Sequence, residues 1–174
     1  MNSKKIILII GLVILVSLAG CFLSWQRYSN EEYGFSILFP RMWQKEEGVA
    51  GTVILVTSPQ KGSSDKYREN INVMAADLSE EVSLATFFEL NKDEAMRVLP
   101  GVEYNISEGE IFAGGISGKW LSFNTRMEGL TLRIISASWM KGTRVYVVSC
   151  SAEYEKYPKY EPIFKKVMHS LRIK

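Results

Sequence analysis

The chain is short of the residues that do most enzyme chemistry. Its 174 residues include one histidine, His169, and two cysteines, Cys21 and Cys150. Any Ser-His-Asp or Cys-His relay would have to use His169. The helical pattern puts that residue in the last turn of a closing helix, where a cation favours the dipole. No His/Cys cluster has zinc spacing and no stretch has the spacing of an EF-hand, so no metal site is assigned. Lysine and arginine form no stripe of the kind a phosphate backbone needs, which excludes nucleic acid as a partner.

Near misses to catalytic motifs fail on chemistry. Residues 113–120 resemble a phosphate-binding loop, but Ala113 stands where glycine is needed and Trp120 where a hydroxyl must hold Mg²⁺. Gly115-Ile116-Ser117-Gly118-Lys119 misses the nucleophile elbow at its last residue. Ser138/Lys141 and Ser58/Lys61 have Ser-x-x-Lys spacing, but neither serine opens a helix. The reading is a non-catalytic protein with no cofactor.

What is present begins at the N-terminus. Lys4 and Lys5 form a cationic head, residues 6–19 are nearly all apolar, and Leu18-Ala19-Gly20-Cys21 ends the run with small residues before a cysteine. A basic head, an apolar run and a small-residue exit describe a secretory signal. The tetrapeptide resembles the bacterial lipobox at every position. That resemblance implies cleavage between Gly20 and Cys21 and a diacylglyceryl group on the Cys21 sulfur. The alternative is an uncleaved transmembrane helix, because residues 6–23 carry no charge and reach the lower bound for a span. In both readings Lys4 and Lys5 stay in the cytoplasm and the bulk of the chain lies outside, at the cell membrane or envelope.

Removing 20 residues from 174 leaves 154, enough for one domain to bury a core without disulfides. Lys4 and Lys5 leave with the signal, so the 21 basic residues fall to 19 against 19 acidic ones. The mature chain is formally neutral. Cys150, alone once Cys21 is acylated, lies in an apolar strand-like run and reads as a small buried hydrophobe.

The expected organisation is a signal over residues 1–20, a tether over 21–30 and a single domain over 31–174. Residues 33–39 read as a strand stopped by Pro40, 44–48 as a turn and 52–57 as a central strand. Residues 58–69 read as a solvated loop and 70–76 as a strand. Ser83 looks like an N-cap for a helix to Leu99, with Leu84, Phe87, Phe88, Asn91, Ala95, Val98 and Leu99 on the packed face. An antiparallel meander follows over 102–113 (broken at Gly109), 116–126, 130–140 and 143–152. The turns are at 127–129 and at Lys141-Gly142. Residues 157–171 close the chain as a helix, with Pro162 tolerated in its first turn. This is an α+β fold, a central antiparallel β-sheet flanked by helices.

Tyr33-Gly34-Phe35-Ser36-Ile37-Leu38-Phe39-Pro40-Arg41-Met42-Trp43 resembles the opening of the PsbP family. Residues 146–152, followed by Tyr157, Tyr160, Phe164 and Ser170-Leu171-Arg172-Ile173, are similar to its closing strand and helix. The resemblance implies an α-β-α sandwich. It also implies a non-enzymatic, extracytoplasmic and often lipid-anchored accessory role, best known beside the oxygen-evolving side of photosystem II. With one histidine, the histidine metal sites of some plant members do not carry over.

Two functions are therefore expected. The first is a module held to the membrane by its N-terminal lipid and docked on a protein partner in a membrane complex. The second is a domain that binds a small ligand or divalent ion. For it, Glu31-Glu32, Glu46-Glu47 and Glu80-Glu81 could form a Ca²⁺ site if two pairs met. Trp43, Trp120 and Trp139 are candidates for an apolar docking patch or for the core.

Overall fold

The computed structural model describes residues 24–63, 65–99 and 103–174. Gly20, Cys21 and the apolar run lie outside the described residues. The elements in chain order are β1 (Trp25–Asn30), β2 (Phe35–Pro40), β3 (Gln44–Glu47), β4 (Ile54–Thr57), β5 (Asn70–Asp77) and α1 (Leu84–Val98). They continue with β6 (Glu103–Ala113), β7 (Ile116–Met127), β8 (Leu130–Lys141), β9 (Arg144–Glu153), α2 (Tyr157–His169) and β10 (Arg172–Ile173).

Seven strands form one antiparallel sheet in the order β3-β4-β5-β9-β8-β7-β6, and β1-β2-β10 form a second, smaller one. The small sheet and α2 cover one face of the large sheet. Phe35, Ile37 and Phe39 alternate inward from β2 and meet Ile71, Val73, Val148 and Trp139, with Phe164 and Val167 coming from α2. The opposite face carries α1, where Phe88 packs on Leu121 and Phe123. The expected layering of helix, sheet and helix is therefore what the chain forms.

Several boundaries differ from the expectation. Residues 25–30 are not tether: they pair antiparallel with β2 from Trp25↔Pro40 to Asn30↔Phe35. Their mixed polarity suits an edge strand with one wet face. Residues 44–47 are likewise a strand and not a turn, polar because β3 is the outer edge of the large sheet. This places β4 one strand in from the edge instead of centrally; β9 is the central strand. The closing helix stops at His169, and Arg172–Ile173 adds β10 to β2, a strand too short to show a period.

The irregularity in β6 falls between Glu103 and Ser107, and not at Gly109. Gly109 is instead a seat for the Trp120 indole, whose Nε1 would lie 2.9 Å from an added Cβ. The last hairpin turns through Gly142 (φ 62°) and Thr143, closed by the pair Lys141↔Arg144, one residue on from the predicted Lys141-Gly142.

Ser83 caps α1 as expected, its Oγ accepting from Thr86 N at 3.0 Å. Ser83→Ala is expected to lower unfolding free energy by about 1 kcal/mol, read from urea denaturation, because it strands that amide. The packed face of α1 keeps Leu84, Phe87, Phe88, Ala95 and Leu99 as predicted and differs at two positions. Asn91 and Val98 are exposed, while Lys92 lies against the sheet and pairs with Glu89 (2.6 Å) and Glu108 (3.0 Å). A long side chain can lay its methylenes on apolar surface while its charge finds a carboxylate, which a count of apolar positions misses.

Candidate functional site

The seven-stranded sheet is wider than the layer of α2 and small sheet packed on it. β6, β7 and β8 consequently extend past α2, leaving a groove of about 620 Å³ between the helix and these strands. Its floor is set by strand alternation. Trp120 and Ser122 on β7 and Arg133 and Ile135 on β8 share the face that also carries Ala137 and Trp139. α2 supplies Tyr157, Glu161, Lys165 and His169 along the facing wall.

Arg133 is the unusual residue. Its Nη1 donates to Asn124 Oδ1 at 3.1 Å, and the guanidinium lies 5.6 Å from the centre of the Tyr157 ring. Burial pushes the Tyr157 hydroxyl up to about 12, and the Glu161 carboxylate acts in the same direction against Arg133 and Ser122. Tyr157 accordingly stays a hydrogen-bond donor at any physiological pH. The rim is mixed in charge, with Glu161 and Lys165 paired at 2.8 Å. Near the end of α2, His169 Nδ1 sits 3.4 Å from the carbonyl oxygen of Phe112.

The Ser122 hydroxyl donates to the carbonyl of Ile134 at 2.9 Å, and the His169 ring is placed against backbone instead of a hydroxyl or carboxylate. Residues 113–120 form a β-hairpin through Gly114 and Gly115, with no helix start to meet a phosphate. Ser138 lies on β8 within the sheet.

The other candidates from sequence are scattered. Trp43 and Trp139 are in the core, so of the three tryptophans considered only Trp120 reaches the groove. Cys150 is fully buried, and burial alone raises its thiol well above the ordinary value. The glutamate pairs do not converge: Glu31 binds Lys174, Glu46 accepts from Gln44 and Glu47 from Tyr28. Among the described residues, no three His, Cys, Asp or Glu gather as a metal site would need.

The 58–69 loop is tied down instead of free. Ser58 Oγ donates to the buried Glu69 carboxylate at 2.7 Å, Lys61 binds the Tyr160 hydroxyl, and Asp65 accepts from Lys156 at 2.9 Å. Missing from the sequence reading were Arg133 and Tyr157 as site residues. A usable signal existed, since Arg133 interrupts the inward alternation Ile135, Ala137 and Trp139 on β8.

The profile of the family described as PsbP matches residues 24–173. Among solved structures, the chain is similar to cyanobacterial PsbP from Synechocystis, with TM-score 0.63 at 13% identity over 90% of this chain and 96% of that one. It is also similar to LpqN of Mycobacterium tuberculosis, a protein described as involved in cell envelope biogenesis (TM-score 0.63, 14% identity, 89% and 87% covered). A putative regulator from Pseudomonas aeruginosa gives TM-score 0.59 at 16% identity, with 84% and 94% covered. At these identities the likeness is one of fold. No curated protein sequence matches the chain significantly.

Proposed function

The chain belongs to the PsbP family, and from that premise we propose that it is a lipid-anchored, extracytoplasmic, non-catalytic module that docks on a membrane or envelope protein complex through the α2–β6–β8 groove. The observation that carries the docking is the composition of the groove. Trp120, Tyr157 and Arg133 sit together in a half-open, partly desolvated recess. Tryptophan, tyrosine and arginine are the side chains that most often supply binding energy at protein interfaces. The anchor and the extracytoplasmic placement are supported by the cationic head, the apolar run and Leu18-Ala19-Gly20-Cys21. The fold shared with an envelope-biogenesis protein agrees with them.

Mild-detergent affinity purification of the full-length protein from its own membranes tests the docking. A near-stoichiometric co-purifying subunit, lost in Trp120→Ser, is the expected result; a partner-free preparation with the anchor intact overturns it. Cys21→Ala is expected to leave an unprocessed precursor without acyl mass, read by intact mass spectrometry. Normal cleavage in that variant contradicts the lipoprotein reading. A second reading, a small-ligand site, is favoured by the groove's volume, which falls in the range of small-molecule pockets. A thermal-shift panel of common solutes with no response removes it.

A further inference from the structure

We propose that the open end of the β1–β2 hairpin is a foot that rests on an anionic phospholipid surface, with Trp25, Arg41, Met42 and Lys166 facing the lipid. The inference deepens the anchored reading above and rests on it.

Chain length supplies the first argument. Ser24 is pinned to the hairpin, its carbonyl accepting from Arg41 N at 2.8 Å. Three peptide steps separate it from Cys21, which span about 11 Å even fully extended. An acyl group on Cys21 enters the hydrocarbon, and the interfacial layer above it is only about 5–8 Å thick on each side. Ser24 and the side chains around it are thereby brought to the headgroups.

The second argument is what those side chains are. Met42, 79% exposed, is the most exposed large apolar side chain among the described residues. Trp25 is half-buried and carries the Lys166 ammonium 4.2 Å from its ring centre. Tryptophan prefers the membrane interface, and lysine and arginine stems can lie along apolar surface with their charges at the phosphates. Arg41 is exposed beside Met42, while Arg27 is engaged along the hairpin, donating from Nη1 to Ser36 Oγ at 3.1 Å. The carboxylate Glu47 engages β1 from its other face, through Tyr28. Glu31 and Glu32 lie in the hairpin's turn, a strand length or about 20 Å away. The end where the anchor joins thus gathers exposed cations and amphipathic groups, whereas at the turn Glu31 is paired with Lys174 at 2.7 Å and Arg144 donates to the carbonyl of Glu32.

The test uses the full-length processed protein in phosphatidylcholine vesicles with and without phosphatidylglycerol, each prepared with brominated acyl chains. Met42→Cys and Glu32→Cys each carry an environment-sensitive fluorophore; Cys150 is buried and unreactive, and intact mass reports the state of Cys21 separately. The expected result is strong quenching at position 42, little at position 32, and a larger difference on phosphatidylglycerol. Each cation near an anionic surface is worth roughly fivefold in partitioning, so Arg41→Glu with Lys166→Glu should abolish the phosphatidylglycerol effect. Equal quenching at the two positions, or none at position 42, overturns the foot even if Cys21 is acylated. Quenching confined to position 42 in a protein without the acyl mass upholds the foot and removes the anchor.

Discussion

Gly118→Val is expected to cost about 3 kcal/mol or more of unfolding free energy, the cost of forcing a side chain into a filled strand interface. The position is buried on β7, opposite Trp139 on β8. A Cβ there would lie 2.6 Å from the carbonyl oxygen of Ser138 and equally close to two atoms of the Trp139 indole. Neither neighbour can give way easily. The carbonyl belongs to a strand held on both sides, and Trp139 is fully buried. Relief requires β7 and β8 to separate, which disturbs the floor of the groove as well. Urea denaturation reads the effect, and Ser117→Val, at an exposed neighbouring position, should stay within about 0.5 kcal/mol of the parent. Equal stability of the two variants would show that the sheet accommodates the side chain.

The second large effect is at Phe164, where substitution by alanine should cost about 3–5 kcal/mol, the usual range for emptying a buried aromatic site. Phe164 is fully buried on α2, with its ring centre 5.9 Å from that of Tyr157 and 6.1 Å from that of Tyr160. Those neighbours have other duties. Tyr157 forms part of the groove wall, and Tyr160 holds the 58–69 loop through Lys61. Phe164→Ala is therefore expected to lower the denaturation midpoint and to weaken partner recovery together. Phe112→Ala, at a ring 65% exposed, should change stability by less than about 0.5 kcal/mol. A loss at Phe164 no larger than that at Phe112 would sink the argument.

The sheet was largely legible because its strands alternate. On β9, Tyr146, Val148, Cys150 and Ala152 turn to the core, as their spacing predicts. Ser83 announced a helix start, and Glu128-Gly129, both at positive φ, announced a hairpin. Illegible parts had short or polar elements. β1 and β3 lie at sheet edges, where no apolar period is required, and β10 has two residues. The groove was illegible for a different reason. It exists because α2 is narrower than the sheet it covers, a property of packing that no local pattern encodes. Arg133 could have been noticed as a cation on an apolar face, but its meaning depends on Tyr157 arriving from 24 positions later in the chain.

The pairing of β10 with β2 has a consequence in time. Phe35 and Ser36 meet Ile173 and Arg172, and Lys174 N closes on the carbonyl of Gly34 at 2.8 Å. The central strand β9 reaches β5 only through pairs such as Asn70↔Ser151. During synthesis from the N-terminus, at about 5–20 residues per second, β2 waits roughly 7–30 s for its last neighbour to exist. Over that interval Phe35, Ile37 and Phe39 have no finished core to enter. The layer around β2 is therefore completed only after Arg172–Ile173 has been made, so the small sheet closes last.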